Sequence, residues 1–158
     1  MKVNELNVQG GKEVDPNLPL DGLISIIYRS QYVIVNKDAN ELNITCRQIS
    51  CLRLVSAYPK ITQEEIANTF QVDKGTVART IRKLEDEEFL YRVQDPENRR
   101  KYQIFLTEKG KNIIPKIKVI EDNWEEMVCK GLNKDEISKL MELLYLIAEN
   151  SLEILHNK

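Results

Sequence analysis

The stretch TQEEIANTFQVDKGTVARTIRKLEDEEFLYRVQDPENRRKYQIFLTEKG, Thr62–Gly110, decides the fold. Thr62, with Glu65 three residues later, is a capping box, in which each side chain satisfies a backbone N–H at the helix start. Ile66, Ala67 and Phe70 are the apolar side of the helix that follows. Gln71-Val72 makes a turn, and Asp73 caps a second helix running from Lys74 to about Glu87. Two short helices joined by such a turn form a helix-turn-helix. Phe89–Gln94 and Lys101–Leu106 are rich in aromatic and branched residues, and Tyr102, Ile104 and Leu106 alternate with Gln103 and Phe105. Asp95-Pro96-Glu97-Asn98 between them is turn chemistry. The second helix is therefore followed directly by a β-hairpin, a wing.

With about 100° per residue, Val77, Thr80, Ile81 and Leu84 share the face that packs on the preceding helix. Gly75, Arg79, Arg82 and Asp86 point the other way, flanked by Thr76, Ala78 and Lys83. A major groove requires an outward face of this kind. Gly75 and Ala78 permit close approach, and Arg79 and Arg82 reach guanine edges or phosphates. Thr76 and the helix N-terminus, with Lys74, suit phosphate. The alternative is an ordinary solvated amphipathic helix. At the hairpin tip, Asn98, Arg99, Arg100 and Lys101 either reach the backbone or a narrow minor groove, or form a polar turn whose arginines pair with Asp95 and Glu97. The position of the tip, directly after a reading helix, favours DNA contact for Arg100.

Outward from this stretch, helices are expected on both sides. Leu20 to about Lys37 carries Leu20, Leu23, Ile24, Ile27, Gln31 and Ile34 at three-four spacing, and Ile26, Val33 and Val35 are apolar on other faces. So broad an apolar surface requires more than one neighbour, and a partner subunit could supply it. Thr45-Cys46-Arg47-Gln48 opens a helix with Ile49, Leu52 and Val55 that ends before Pro59. Lys60-Ile61 fits a very short strand. Thr107 starts a long helix striped by Ile113, Ile117, Ile120, Trp124 and Val128, kinked at Pro115 and ended by Gly131. Asn133-Lys134-Asp135-Glu136 caps the last helix, with Ile137, Leu140, Met141, Leu144, Ile147, Leu152 and Leu155.

The fold class is thus mainly α with a small β-hairpin wing: a winged helix-turn-helix plus N- and C-terminal dimerisation helices. Residues 1–19 read as a flexible arm, 20–42 as a dimerisation helix, 43–107 as the winged region and 108–158 as C-terminal dimerisation helices. The chain has 158 residues and a net charge of −2, so nothing points to indiscriminate polyanion coating, although local charge on one face is what counts. Its three cysteines form no CxxC and His156 is its one histidine, so suitably spaced zinc ligands are lacking and neither metal nor cofactor is expected. The odd cysteine count and the absence of a signal peptide suggest the cytoplasm, and no apolar run is long enough to span a bilayer.

In this order, Thr45–Gln48, TQEEIANTFQVDKGTVARTIRKLE, DPENRRKYQIFLTEKG and GLNKDE resemble the MarR (multiple antibiotic resistance regulator) family of winged-helix transcription factors. The resemblance spans about Leu20–Leu155. It implies a homodimer interlocked through its terminal helices. It also implies binding of double-stranded DNA at a pseudo-palindromic operator, with helices in successive major grooves, and repression relieved by a small aromatic or lipophilic anion. Two departures stand out. The family's Asp-Arg-Arg in the wing is Asn98-Arg99-Arg100 here, which exchanges a charged acceptor for a neutral one and loosens the wing unless Asp95 compensates. Where the family often has glycine, Glu88 stands, and a left-handed backbone would cost it about 1 kcal/mol.

Tyr28, Arg29, Tyr32 and Arg53 could line an effector pocket, or pack at the dimer interface with their charged ends in water. Some family members sense oxidants through cysteine. Cys46, in a first helical turn beside Arg47, has two features that lower a thiol pKa, yet a small buried cysteine is the stronger reading of the same position. Cys51 reads as core. The leading expectation is a ligand-responsive repressor. The alternatives are a cysteine-based redox-responsive regulator and a winged-helix protein-interaction module without DNA binding, the latter motivated by Asn98 and the acidic Glu85–Glu88 run. No set of residues suggests an enzyme.

Overall fold

The computed structural model describes residues 14–157. Most of the expected N-terminal arm, residues 1–13, lies outside them. From Leu18 the chain enters α1 (Leu20–Glu41), then α2 (Cys46–Ala57), α3 (Gln63–Phe70), α4 (Lys74–Asp86), the hairpin β1 (Leu90–Gln94) and β2 (Tyr102–Leu106), α5 (Glu108–Val128) and α6 (Lys134–His156). The chain is mainly helical, with a winged helix-turn-helix at its centre.

The expected caps form as bonded structures. Thr45 with Gln48, Thr62 with Glu65 and Asn133 with Glu136 each close a reciprocal capping box. Asp73 and Thr107 accept the N–H groups of Thr76 and Gly110. The antiparallel hairpin pairs Leu90 with Leu106 and Arg92 with Ile104. The short strand expected at Lys60-Ile61 is instead one isolated bridge between Thr62 and Gln103, supported by the Ile104 N–H donating to the Ile61 carbonyl at 2.9 Å. That bridge fixes the wing to the front of α3.

Helix ends differ from expectation in two places. α1 runs a turn beyond Lys37, to Glu41. Asn43 takes the left-handed conformation (φ 56°), and the N–H groups of Asn43 and Ile44 bond back to Asn40 and Ala39. That is a helix stop built on asparagine rather than glycine. α5 stops at Val128 with Cys129 as its cap, ahead of Gly131. Pro115 sits inside α5 without dividing it.

The core gathers around the central lobe. Leu52 of α2, Ile66 of α3, Ile81 and Leu84 of α4, Ile104 of β2 and Ile117 of α5 are all fully buried. Val35 and Ala39 are the only buried residues that α1 contributes, both from its C-terminal half. α6 buries none of its described side chains. Gly110 is where α5 docks on the lobe: a Cβ there would lie 2.1 Å from the Phe89 carbonyl oxygen. Only glycine permits that approach.

Candidate nucleic-acid interface

α4 presents two opposite faces. Val77, Ile81 and Leu84 are buried against the lobe, while Lys74, Gly75, Arg79 and Arg82 are exposed and Thr76 and Ala78 are half-buried. The sign of this division follows from periodicity alone, because three apolar residues at three-four spacing leave the intervening positions to water. At its C-terminal end, Glu88 adopts the left-handed conformation with φ 60°. The N–H groups of Glu88 and Phe89 bond to the carbonyls of Glu85 and Leu84 at 2.9 and 2.8 Å. The helix therefore ends in a Schellman motif with a glutamate at the position that favours glycine, and the buried contact of Phe89 with Leu84 holds it there.

At the N-terminal end the side chains are already organised. The Thr76 hydroxyl donates to Asp73 Oδ2 at 2.6 Å and accepts from Arg79 Nη2 at 2.8 Å. The Thr76 proton expected to face a phosphate is thus engaged within the cap. These bonds, first those from the Thr76 side chain and then its backbone N–H, hold the Asp73 carboxyl below the usual range. A Cβ at Gly75 would lie 3.1 Å from Asp73 Oδ1 and 3.6 Å from Arg79 Nη1, so the glycine leaves these side chains their space. No described residue bonds to the Arg82 guanidinium.

The wing is held by its backbone. Asp95 Oδ1 accepts the N–H groups of Glu97 and Asn98 at 2.8 and 3.1 Å, and Oδ2 accepts from Gln103 at 3.1 Å. The Glu97 N–H first, then Gln103 and the Asn98 N–H, lower the Asp95 pKa. Asn98 Oδ1 accepts the Arg100 N–H at 3.1 Å, and Gln94 Nε2 donates to the Arg99 carbonyl at 2.8 Å. Asn98 thus acts on the main chain of the turn and does not anchor a guanidinium. Neither Arg99 nor Arg100 pairs with Asp95 or Glu97, which removes the reading of the tip as a self-neutralised turn. Lys101 lies 4.0 Å from Glu64. Arg92 is different: Glu85 accepts two hydrogen bonds from its guanidinium, at 2.7 and 2.6 Å.

The residues of this lobe match a family model described as the MarR family over residues 44–102. The uncharacterized HTH-type transcriptional regulator YybA of Bacillus subtilis (strain 168) is 31% identical over 127 residues, 80% of this chain and 85% of that protein. The chain belongs to the MarR family. Among solved structures, one described as a crystal structure of MarR superposes with a TM-score of 0.85 at 39% identity, covering 93% of this chain and all of that one. A MarR family regulator of Listeria monocytogenes, solved with a 26mer DNA, superposes with a TM-score of 0.80 at 27% identity, over 86% of this chain and 91% of that one. MarR family proteins are DNA-binding transcriptional regulators, not enzymes.

This MarR family chain also has a half-open cavity of about 360 Å³ behind α4. Tyr28 and Tyr32 of α1, Arg47 and Ser50 of α2, and Thr76 and Thr80 of α4 are among its walls. Arg29 and Arg53 do not line it, and Arg53 instead pairs with Glu121 of α5 at 2.9 Å. Among the described residues the one cation on the cavity wall is Arg47, which sequence reasoning treated only as a neighbour of the thiol. Cys46 also borders the cavity, but the thiolate expected from its helix position is not favoured. Burial pushes its pKa up, and this outweighs the lowering by a Gln31 hydrogen bond, while Glu121 adds to the rise. Burial alone pushes Cys51 up to about 12. No helix among the described residues is long and apolar enough to cross a membrane.

Proposed function

We propose that the protein is a homodimeric, small-ligand-responsive repressor that acts in the cytoplasm on a pseudo-palindromic operator. The carrying observation is that Arg82 on α4 and Arg99 and Arg100 on the wing have no acidic partner among the described residues, whereas Lys74 and Lys101 face Glu64 and Arg92 is bound by Glu85. In this reading the N-terminal half of α4 enters a major groove. Arg79 and Arg82 read base edges, and Lys74, Thr76, Gly75 and Ala78 lie against the groove wall. Asn98, Arg99, Arg100 and Lys101 meet the flanking backbone or minor groove.

A second copy of the chain covers the apolar surfaces of α1 and α6. Ile24, Ile27, Val33, Met141, Leu144 and Leu155 are among the exposed side chains there, so burying them on association is favourable. The two-fold axis so created spaces two α4 helices about 34–36 Å apart, one turn of DNA. The cavity between α1, α2 and α4 supports the ligand-responsive part. An apolar cavity with two tyrosines and Arg47 suits a small aromatic anion. Because Thr76 and Thr80 form one wall, an occupant acts on the helix that carries Arg79. The raised Cys46 thiol disfavours the redox alternative. The two grounds for a module without DNA binding lose force as well, since Asn98 orders the turn and Glu85 is bound to Arg92.

A gel shift against the DNA upstream of the protein's own gene, together with selection from random duplexes, tests this reading. A two-fold symmetric site with affinity that falls steeply with salt is the expected result. Failure to select any sequence at low salt overturns it.

A further inference from the structure

A second, smaller cleft of about 230 Å³ lies where α3, α4 and β2 meet. Lys74, Arg92, Arg100 and Lys101 border it, and among the described residues Glu64 is the sole carboxylate on its wall. The two oxygens of Glu64 face two different elements. Oε1 accepts a hydrogen bond from Lys74 Nζ at 2.7 Å, and Oε2 lies 4.0 Å from Lys101 Nζ. Lys74 starts α4, and Lys101 leads from the wing tip into β2. The three side chains are 48%, 66% and 50% exposed for Glu64, Lys74 and Lys101, so a polyanion approaching this face meets all of them. Lys74 first, and Lys101 after it, lower the Glu64 pKa, which keeps the carboxylate charged at neutral pH.

We propose that Glu64 is an internal stand-in for a backbone phosphate: it holds Lys74 and Lys101 in the free protein and yields both to phosphate when DNA arrives. This rests on the reading that the α4 face binds DNA. An exposed ion pair in water is weak and screened by salt, whereas a lysine placed on DNA releases condensed counterions. The exchange therefore runs toward DNA, but each lysine starts from a partner rather than from free solvent. Lysine–phosphate contacts carry no sequence information. Glu64 consequently lowers affinity for every duplex alike and leaves discrimination to the side chains that reach base edges. The device acts twice in a dimer, once per lobe.

The test uses the full-length protein in anisotropy titrations against a selected operator and a scrambled duplex, each over a range of salt. Glu64→Gln is expected to bind both duplexes more tightly at low salt, on the order of threefold to tenfold, with a salt slope within about one unit of wild type, because both proteins place the same two lysines on phosphate. In a Lys74→Met, Lys101→Met background the same substitution is expected to give no gain. If wild type binds and Glu64→Gln binds equally or more weakly, the stand-in role is overturned while the DNA-binding reading survives. A gain that persists in the double-methionine background overturns it too, since the effect is then one of overall charge. Absence of salt-dependent binding by wild type itself removes both readings together.

Discussion

The central lobe and the chain's two ends obey different rules. Between α2 and the first half of α5, apolar side chains find partners within the chain, and Leu52, Ile81, Leu84 and Ile104 are fully buried. On the N-terminal half of α1 and along α6 the same residue types face outward, with Tyr28 66% and Tyr145 69% exposed. Composition does not distinguish the two regions; placement does. A soluble monomer seldom leaves so large a contiguous apolar surface. The difference is between a lobe whose core closes within one chain and terminal helices whose apolar faces stay uncovered in it.

The largest effect should come from breaking the frame. Leu144→Asp with Ile27→Asp puts carboxylates onto the two exposed apolar faces. Sedimentation velocity should then show a monomer with the same helical content. Operator affinity should fall on the order of 100-fold or more, because two half-sites no longer act together. A monomeric variant that retains full affinity would end the two-copy account.

The head should break at its own joint. Gly110→Ala forces a Cβ against the Phe89 carbonyl, and thermal or denaturant unfolding should register a loss of about 3 kcal/mol. The same substitution at Gly131, where nothing lies within 4 Å, meets no clash, though its φ of 97° brings backbone strain alone. Equal losses at both glycines would refute the close-approach explanation.

Smaller effects separate reading from gripping. Arg79→Ala should weaken operator binding by about 1–3 kcal/mol and relax preference at one base pair per half-site. Arg100→Ala should instead weaken all duplexes and reduce the salt slope by about one. If both leave binding unchanged, the groove assignment fails. The smallest effect should be a gain: Glu88→Gly removes the side chain from a left-handed position and should raise stability by about 1 kcal/mol. A lower melting temperature would mean that the glutamate side chain supports the helix end.

Much of the head was legible from sequence, for a local reason. Capping boxes at Thr45 and Thr62, the Asp73 cap, the apolar stripe of α4 and the Asp95–Asn98 turn all rest on residues within four positions of one another, and backbone chemistry fixes them at that range. α1 was underestimated because its stop uses Asn43, a weaker signal than glycine. The tip arginines were legible as charges but not as unpaired ones. Their state depends on Asp95 and Asn98 binding backbone N–H groups rather than guanidinium groups.

The cavity shows where local reading ended. Tyr28 and Tyr32, expected as candidates for an effector pocket, border the cavity, but Arg53 turned to Glu121 and Arg47 to the cavity wall. Nothing in their spacing distinguishes these outcomes. The Cys46 thiol shows the same limit: helix position argues for a lowered pKa, while burial by surrounding elements raises it, and desolvation is the larger effect.

By itself, the sequence determined the order of elements, which face of α4 turns inward and the presence of a basic-faced helix followed by a hairpin wing, because periodicity and capping act within a few residues. Tertiary structure alone decided which charges pair. Glu85 closes on Arg92, Glu64 on Lys74, and Gln48 of α2 reaches Glu87 at the end of α4 at 2.8 Å. Such pairs join residues 7, 10 and 39 positions apart. Their partners are chosen by how helices pack, and packing is set by the buried side chains of the whole lobe rather than by any short stretch of it.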